Sequence, residues 1–383
     1  MAENKKIMMN CGRIKVFFTT RRRLVNEIKE QGYDITIGGF EQERKNLCDE
    51  NGLAFAYTPF SRAGLNPIAD LKAIRRYTEI MKRERFDIVH SYTAKPNIYG
   101  SIAAKKAGVK KIYPTVNGLG YAFTENTSNG LKSRLVRLVT CALYKRAFQC
   151  ATKVFFQNSD DAEELIGRGI IRRDKCVVIS GSGIDLEMFP YSEMSVQPMV
   201  FMLAARLLVT KGVRNYFEAA RIVKQKHPEA VFQIAGALDP NPDGIKQEEL
   251  DAYIADGTVD FLGYVNDMPK ALRECSVFVL PSYYREGIPH TVLEAMSIGR
   301  AIITCNTPGC KETVRDTDAD GKGKNGFLLE PRNTELLAEK MLWMIEHPVE
   351  VRKMGIESRK YAEERFDVEK VNRVMMETMG IGV

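Results

Sequence analysis

The 383 residues, 44% hydrophobic and 27% charged, exceed one typical domain and suit a soluble globular protein, so two domains of roughly 180 residues are the expectation. No apolar run reaches the roughly 18 residues that span a bilayer and no secretory signal opens the chain, which argues for a cytosolic protein; eight cysteines without a Cys-x-x-Cys pair and four scattered histidines argue against disulfides and a zinc centre. The formal charge of +7 is uneven: residues 1–190 carry 32 Lys+Arg against 20 Asp+Glu, residues 191–383 carry 24 against 29, and residues 51–150 alone hold 17 against 5.

In chain order, Lys5–Asn10 reads as a strand, Val16–Gln31 as a helix ending near Gly32, and Asp34–Gly38 as a second strand. A helix over roughly 41–50, a strand at Ala54–Thr58 and a long basic helix from Pro67 to about Arg85 follow. Asp87–Ser91 is a strand, Pro96–Ala107 a helix and Lys111–Thr115 a strand, with further β/α units to about residue 180. Strands separated by helices imply right-handed crossovers and a mainly parallel sheet, whose ligands gather at the carboxyl ends of the strands.

Three loops fall at those ends: Cys11-Gly12-Arg13, His90-Ser-Tyr92-Thr-Ala-Lys95-Pro, and Val116-Asn117-Gly118-Leu119-Gly120. Gly12 reads as a tight turn or part of a phosphate cradle. The paired glycines at 118 and 120 permit positive φ and close backbone approach, in a binding loop or a plain turn. From Ser128 to Gln149, Leu131, Leu135, Leu138, Val139, Ala142, Leu143 and Phe148 mark an apolar face, with Lys132, Arg134, Arg137, Lys145 and Arg146 elsewhere. Such a helix lies on anionic lipid or serves as a crossover helix with a solvated basic flank; the basic helix from Pro67 in the same positive segment favours the lipid surface. Ser180–Pro198 has no periodicity and reads as an inter-domain linker.

The alternation restarts with a strand at Val200–Ala205. The stretch Ala205-Arg206-Leu-Leu-Val-Thr-Lys211-Gly212 then puts two cations at its carboxyl end, an ordinary surface pair or a grip for a diphosphate. The 236–244 loop, GALDPNPDG, reads as flexible, and Phe261–Asp267 reads as following a strand. Ser276–Leu280 is a buried strand, Pro281–Ile288 a loop, and Pro289 suits the first turn of a helix that Gly299 closes. Ala301–Thr304 is the next strand, and Phe366–Met379 a final helix.

Glu286 lies in that loop and Glu294 about two turns into the helix. Helical side chains lean toward the N-terminus, so Glu294 reaches back over the first turn, toward the N–H groups of Gly287, Ile288 and His290 at the positive end of the helix dipole. That space suits a phosphate, and a carboxylate beside it suits a ligand that also carries hydroxyls, as a nucleoside diphosphate does. Taken alone, the same two residues read as a helix cap and a solvated surface charge.

The run E-G-I-P-H-T-V-L-E-A-M-S-I-G, with the R-x4-K-G element at Arg206, resembles the retaining GT-B glycosyltransferases of family 4, which contains sucrose and glycogen synthases and many bacterial cell-surface sugar transferases. This resemblance implies an α/β fold of two Rossmann-like, doubly wound parallel-sheet domains facing a central cleft. Residues 1–190 would form an acceptor- and membrane-facing domain, on which a C-terminal helix (368–383) packs back, and residues 191–367 the nucleotide-sugar domain. It implies that Glu294 holds ribose hydroxyls, that Glu286 touches the transferred sugar, and that the backbone at Gly287, Ile288 and Pro289 holds phosphate. Arg206 and Lys211 would bind the pyrophosphate, Tyr264 and Val265 would frame the base, and Gly12 is a further donor-side candidate.

Within the family, SRAGLNP (61–67), KPNIYG (95–100), NGLG (117–120) and the Asp239–Pro242 loop look like bacterial enzymes that add a sugar to polyprenyl-diphosphate-linked acceptors. The implied reaction moves a hexose or N-acetylhexosamine from a UDP-sugar to such an acceptor with retention, in surface-glycan or glycoprotein-glycan assembly. Arg206 and Lys211 would stand in for a metal on the leaving group, so neither metal nor other cofactor is expected. The implied location is the inner face of the cytoplasmic membrane, held peripherally by anionic lipid. Many relatives carry a His where this chain has Tyr92; Tyr92, Lys95, Asn117 and Gly118 are the acceptor-side candidates, with His90 packed at the strand end. A catalytically silent nucleotide-sugar-binding membrane scaffold and a sugar-nucleotide epimerase of the same fold stay open. No nucleic-acid partner is expected, since basic and aromatic residues do not interleave.

Overall fold

Short apolar runs flanked by amphipathic helices produce two parallel-dominated sheets in the computed structural model, which describes residues 4–58, 67–120, 123 and 131–382. Residues 61–66 of the acceptor-type motif and 128–130 at the start of the basic amphipathic stretch lie outside the described residues. The first sheet comprises β1 (Lys6–Asn10), β2 (Asp34–Gly39), β3 (Ala54–Tyr57), β4 (Ile88–Tyr92), β5 (Lys111–Val116), β6 (Val154–Phe156) and β7 (Cys176–Val178). Their order is β3-β2-β1-β4-β5-β6-β7, every pair parallel. All five β4 residues are buried, as a central strand covered on both faces requires.

The second sheet comprises β8 (Val200–Ala204), β9 (Val231–Ala235), β10 (Asp260–Gly263), β11 (Val277–Leu280), β12 (Ala301–Cys305), β13 (Lys322–Gly323) and β14 (Gly326–Leu329), in the order β10-β9-β8-β11-β12-β14-β13. Only the short β13 runs antiparallel to its neighbour. In both sheets the strand order reverses beside the first strand, between β1 and β4 and between β8 and β11. Doubly wound sheets bind ligands outside the carboxyl ends at this switch point.

Residues 1–182 and 369–383 form one compact unit and residues 183–368 the other. Helix Val368–Met379 contributes Val371, Met375 and Met379 to the core of the first unit, beside Ile7, Met9 and Ile35. Its Glu369 pairs with Arg23 at 2.8 Å. In the second unit Arg300, fully buried, donates Nε to the Leu272 carbonyl at 2.8 Å, Nη1 to the Ser192 carbonyl at 2.8 Å and Nη2 to the Arg273 carbonyl at 3.1 Å.

Several boundaries differ from the sequence reading. The helix expected over Val16–Gln31 is a 3-10 turn, Ile14–Phe18, followed by an α-helix, Arg22–Glu30, because Ile14 and Phe17 are drawn into the core while the β-branched Thr19 and Thr20 favour a break. Pro96–Gly100 is a π-helical turn ahead of helix Ser101–Ala107. Phe261–Gly263 lies within β10 instead of following it.

Candidate active site

The switch point of the second sheet assembles most of the charged residues singled out above. After β8 the chain makes a 3-10 turn, Val209–Lys211, and passes through Gly212 at φ 77°. A Cβ there would sit 2.1 Å from the Pro281 carbonyl oxygen, so only glycine lets the β8 and β11 loops approach this closely. Arg206 Nη1 pairs with Asp239 Oδ2 at 3.0 Å. Lys211 Nζ pairs with Glu286 Oε1, an oxygen that also accepts from the Ser282 hydroxyl at 3.0 Å. The Lys211 and Glu286 side chains are 13% and 12% exposed, whereas Arg206 is 41% exposed.

The 281–289 loop is fixed by close packing. Gly309, at φ 81°, comes so near that a Cβ would lie 1.5 Å from the Gly287 carbonyl oxygen, and the Thr307 hydroxyl donates to the Ser282 carbonyl at 3.1 Å. Gly287, Ile288 and Pro289 are buried. Pro289 is the N-cap of helix His290–Ile298, one position ahead of the first turn where the sequence reading put it, and Gly299 closes the helix at φ 91°. Glu294 reaches back one turn, its Oε1 2.9 Å from His290 Nδ1. Tyr264 and Val265 follow β10 on the same edge, two strands from β8 and therefore about 10 Å along the sheet; Tyr264 is 63% exposed and Val265 packs against the core.

The 236–244 loop, expected to be flexible, is fastened to the cation-bearing segment. The Thr210 N–H donates to Asp243 Oδ2 at 3.2 Å, its hydroxyl donates to the same oxygen, and the Val209 N–H donates to the Asp243 carbonyl at 2.8 Å. The Asp239 and Asn241 side chains each accept from a backbone N–H two residues on, both at 3.0 Å, the habit of Asx residues in turns. Sequence reading passed over the side chains of Asp243 and Ser282, used His290 only for its backbone N–H, and took Asp239 only as part of an acceptor-type loop. The Asp-Pro-Asn-Pro-Asp spelling was the available signal for Asp239 and Asp243.

In the first unit, Gly12 donates its N–H to the Thr93 hydroxyl at 3.3 Å. Tyr92 is only 2% exposed: its hydroxyl lies 3.5 Å from His90 Nδ1 and its ring 4.9 Å from the Arg21 guanidinium. The structure therefore buries this acceptor-side candidate in the core. Lys95 pairs with Asp70 at 3.4 Å. Asn117 is half-buried, and Gly118 and Gly120 take positive φ of 100° and 66°. Burial pushes the Cys11 thiol up to about 11, which leaves the cysteine beside Gly12 protonated near neutral pH and unsuited to nucleophilic attack.

His90 is fully buried, with Nε2 2.8 Å from the Thr115 hydroxyl. Burial, with the nearby Arg21 charge, pushes its pKa down to about 3. Below its ordinary value near 6.5 the unfolded chain takes up a proton that the folded chain refuses. This contribution to stability is present above pH 6.5 and lost as the pH falls toward 3, at up to about 1.4 kcal/mol per pH unit. Urea midpoints of His90→Gln are expected to fall less steeply than wild type between pH 6.5 and 4; parallel slopes would contradict this.

Residues 188–361 match the family described as Glycosyl transferases group 1, and residues 12–158 match Glycosyl transferase 4-like. The chain is 32% identical over 340 residues, 85% of each chain, to the N,N'-diacetylbacillosaminyl-diphospho-undecaprenol alpha-1,3-N-acetylgalactosaminyltransferase of Campylobacter jejuni. It is 30% identical over 298 residues, 74% of this chain and 73% of the other, to the UDP-Gal:alpha-D-GlcNAc-diphosphoundecaprenol alpha-1,3-galactosyltransferase of Escherichia coli. Among solved structures, Anabaena HepE in complex with UDP and glucose superposes with a TM-score of 0.76 at 18% identity, covering 98% of this chain and 99% of that one, a likeness of fold.

Proposed function

The chain belongs to the group 1 glycosyltransferases, and we propose that it moves a hexose or N-acetylhexosamine from a UDP-sugar to a polyprenyl-diphosphate-linked sugar with retention at the anomeric carbon. The observation that carries this reading is the cation pair Arg206 and Lys211 at the switch point of the second sheet, with Lys211 paired to Glu286 in the loop that leads from β11 into the helix bearing Glu294. The names of the two bacterial relatives support the lipid-linked acceptor and, for the second, the UDP-linked donor.

In this mechanism Glu294 accepts from ribose hydroxyls, while Tyr264 and Val265 frame the base. Arg206 and Lys211 stabilise the charge that grows on the departing diphosphate, with Gly287, Ile288 and Pro289 presenting backbone to it. The bond from the anomeric carbon to the diphosphate breaks, and a bond to the acceptor hydroxyl forms on the same face. The hydroxyl proton passes to the leaving phosphate oxygen, and Glu286, held by Lys211 and Ser282, touches the transferred sugar. No metal or other cofactor enters this scheme.

Acceptor delivery calls for a lipid surface. Ile68 and Leu71 on helix Pro67–Glu84, and Leu135 and Leu138 on helix Leu131–Cys150, are all more than 60% exposed. Lys72, Arg75 and Arg76 accompany the first pair and Arg134 and Arg137 the second, and both helices pack on helix Ser101–Ala107. Exposed leucines among cations suit the interface of an anionic bilayer, at about 1 kcal/mol per basic residue near the surface. Among the described residues no helix is long and apolar enough to cross one. We place the protein on the cytoplasmic face of the cytoplasmic membrane.

Two measurements test the reading. Product isolated after incubating each UDP-sugar with a polyprenyl-diphospho-sugar should carry an α-linkage from an α-linked donor; a β-linkage would rule out retention. Flotation with phosphatidylglycerol vesicles should recover the wild type and lose Leu135→Ser/Leu138→Ser, whereas equal recovery would remove the helix Leu131–Cys150 from the membrane contact.

A further inference from the structure

The two cations after β8 are each held by a carboxylate from a flanking loop: Lys211 by Glu286, after β11, and Arg206 by Asp239, after β9. Asp239 has no part in the scheme above, yet the structure presents it firmly. Its Oδ1 accepts from the Asn241 N–H at 3.0 Å while Oδ2 faces Arg206. The Gly244 N–H donates to the Asn241 carbonyl at 2.7 Å, and a Cβ at Gly244 would sit 2.1 Å from the Asp239 carbonyl oxygen. Asp243 then fastens the loop to Thr210, one residue before Lys211. The carboxylate opposite Arg206 is thus carried on a rigid turn tied to the segment that bears both cations.

We propose that Asp239 is a positioning residue of the donor site: it holds the Arg206 guanidinium at the sheet edge and competes with the incoming diphosphate for it, which limits nucleotide affinity and speeds product departure. The proposal rests on the reading of Arg206 as a diphosphate ligand. Arg206, Lys211, Asp239, Glu286 and Glu294 together carry a formal charge of −1, and a diphosphate brings at least two more negative charges. An ion pair as exposed as Arg206–Asp239 gains little from being formed. A fixed carboxylate beside a dianion, by contrast, both repels it and occupies its partner. The repulsion outweighs the little that the pair contributes to holding Arg206, so removing the charge should tighten binding.

Asp239→Asn tests this, because the amide keeps an oxygen for the Asn241 N–H while removing both the charge and the acceptor that faces Arg206. Asp239→Ser, which can also cap that N–H, serves as a second variant if the first folds poorly. Calorimetric titration with UDP is expected to show about tenfold tighter binding for Asp239→Asn than for wild type, and most of that gain should vanish in an Arg206→Ala background. With a turned-over donor, KM and kcat should fall together as UDP release becomes limiting. Unchanged or weaker UDP binding by both Asp239 variants, with Arg206→Ala still weakening it, would overturn the proposal and leave the donor site standing. Absence of UDP binding by the wild type would overturn the donor-site reading and this inference with it.

Discussion

Arg206→Ala and Glu294→Ala are each expected to lower kcat/KM for the UDP-sugar roughly 10- to 150-fold, and together by about a thousandfold or more, without unfolding the protein. The magnitude follows from the 1.5–3 kcal/mol that a hydrogen bond to a charged group is worth. The two should differ in kind. Glu294 would hold the ribose, remote from the bond that breaks, so its loss removes binding shared by ground and transition states and raises KM. Arg206 would meet charge that develops as the diphosphate leaves, so its loss falls mainly on kcat. Stability should be spared because Arg206 is 41% exposed and Asp239 keeps its bond to Asn241. Lys211 makes a poorer probe: Glu286, its partner, is only 12% exposed, and Lys211→Ala would strand that carboxylate. Steady-state kinetics with circular dichroism checks the pair; wild-type kcat/KM in either single variant would remove that residue from the donor site.

Arg300→Ala is expected to cost about 3–5 kcal/mol, the largest stability loss of any single substitution considered. The guanidinium is fully buried, and burial alone pulls its pKa down. Its partners are five carbonyls and one hydroxyl. Leu272 and Arg273 lie in the last turn of helix Met268–Glu274, Ile298 and Gly299 close helix His290–Ile298 at 3.3 and 3.4 Å, and Ser192 adds both its carbonyl and its hydroxyl. A cation between two helix C-termini meets the negative ends of both dipoles. Truncation takes the guanidinium donors from the Ser192, Arg273 and Gly299 carbonyls beside a cavity, while the Leu272 and Ile298 carbonyls keep the Cys275 and Ser192 N–H groups. Arg300→Lys, with fewer donors in a different geometry, should recover only part of the loss. The sole tryptophan, Trp343, stacks on His347 at 4.2 Å within the same unit and offers a fluorescence signal for urea unfolding. A midpoint equal to wild type would show the clasp to be dispensable.

Much of the architecture is legible in the residues because strands buried on both faces spell short continuous apolar runs, as at Val277–Leu280 and Ala301–Cys305, and the intervening helices have a different period. The residues proposed for the donor site share local spacing: Glu294 lies about one turn into the helix that the Glu286 loop opens, nearer its start than the two turns read from the sequence, and Arg206 and Lys211 bracket one tight turn. What stayed hidden depends on tertiary pairing. Nothing local to Asp239 says that its carboxylate meets Arg206, 33 positions earlier. A Pro- and Gly-rich loop reads as flexible until the bonds from Val209 and Thr210 are seen. Tyr92 looks like a loop residue at a strand end, yet the packing of Phe17, at 5.7 Å between ring centroids, and of Arg21 closes over it.

The central claim is that the site around Arg206, Lys211 and Glu294 delivers sugar from a UDP-linked donor to a lipid-linked acceptor. UDP release across a panel of UDP-sugars, with and without a polyprenyl-diphospho-sugar, tests it most directly. We expect one donor to yield UDP only when the lipid acceptor is present, and Glu294→Ala to slow that release roughly 10- to 150-fold at donor concentrations below KM. Tight UDP binding with no acceptor-dependent release from any donor would contradict the account.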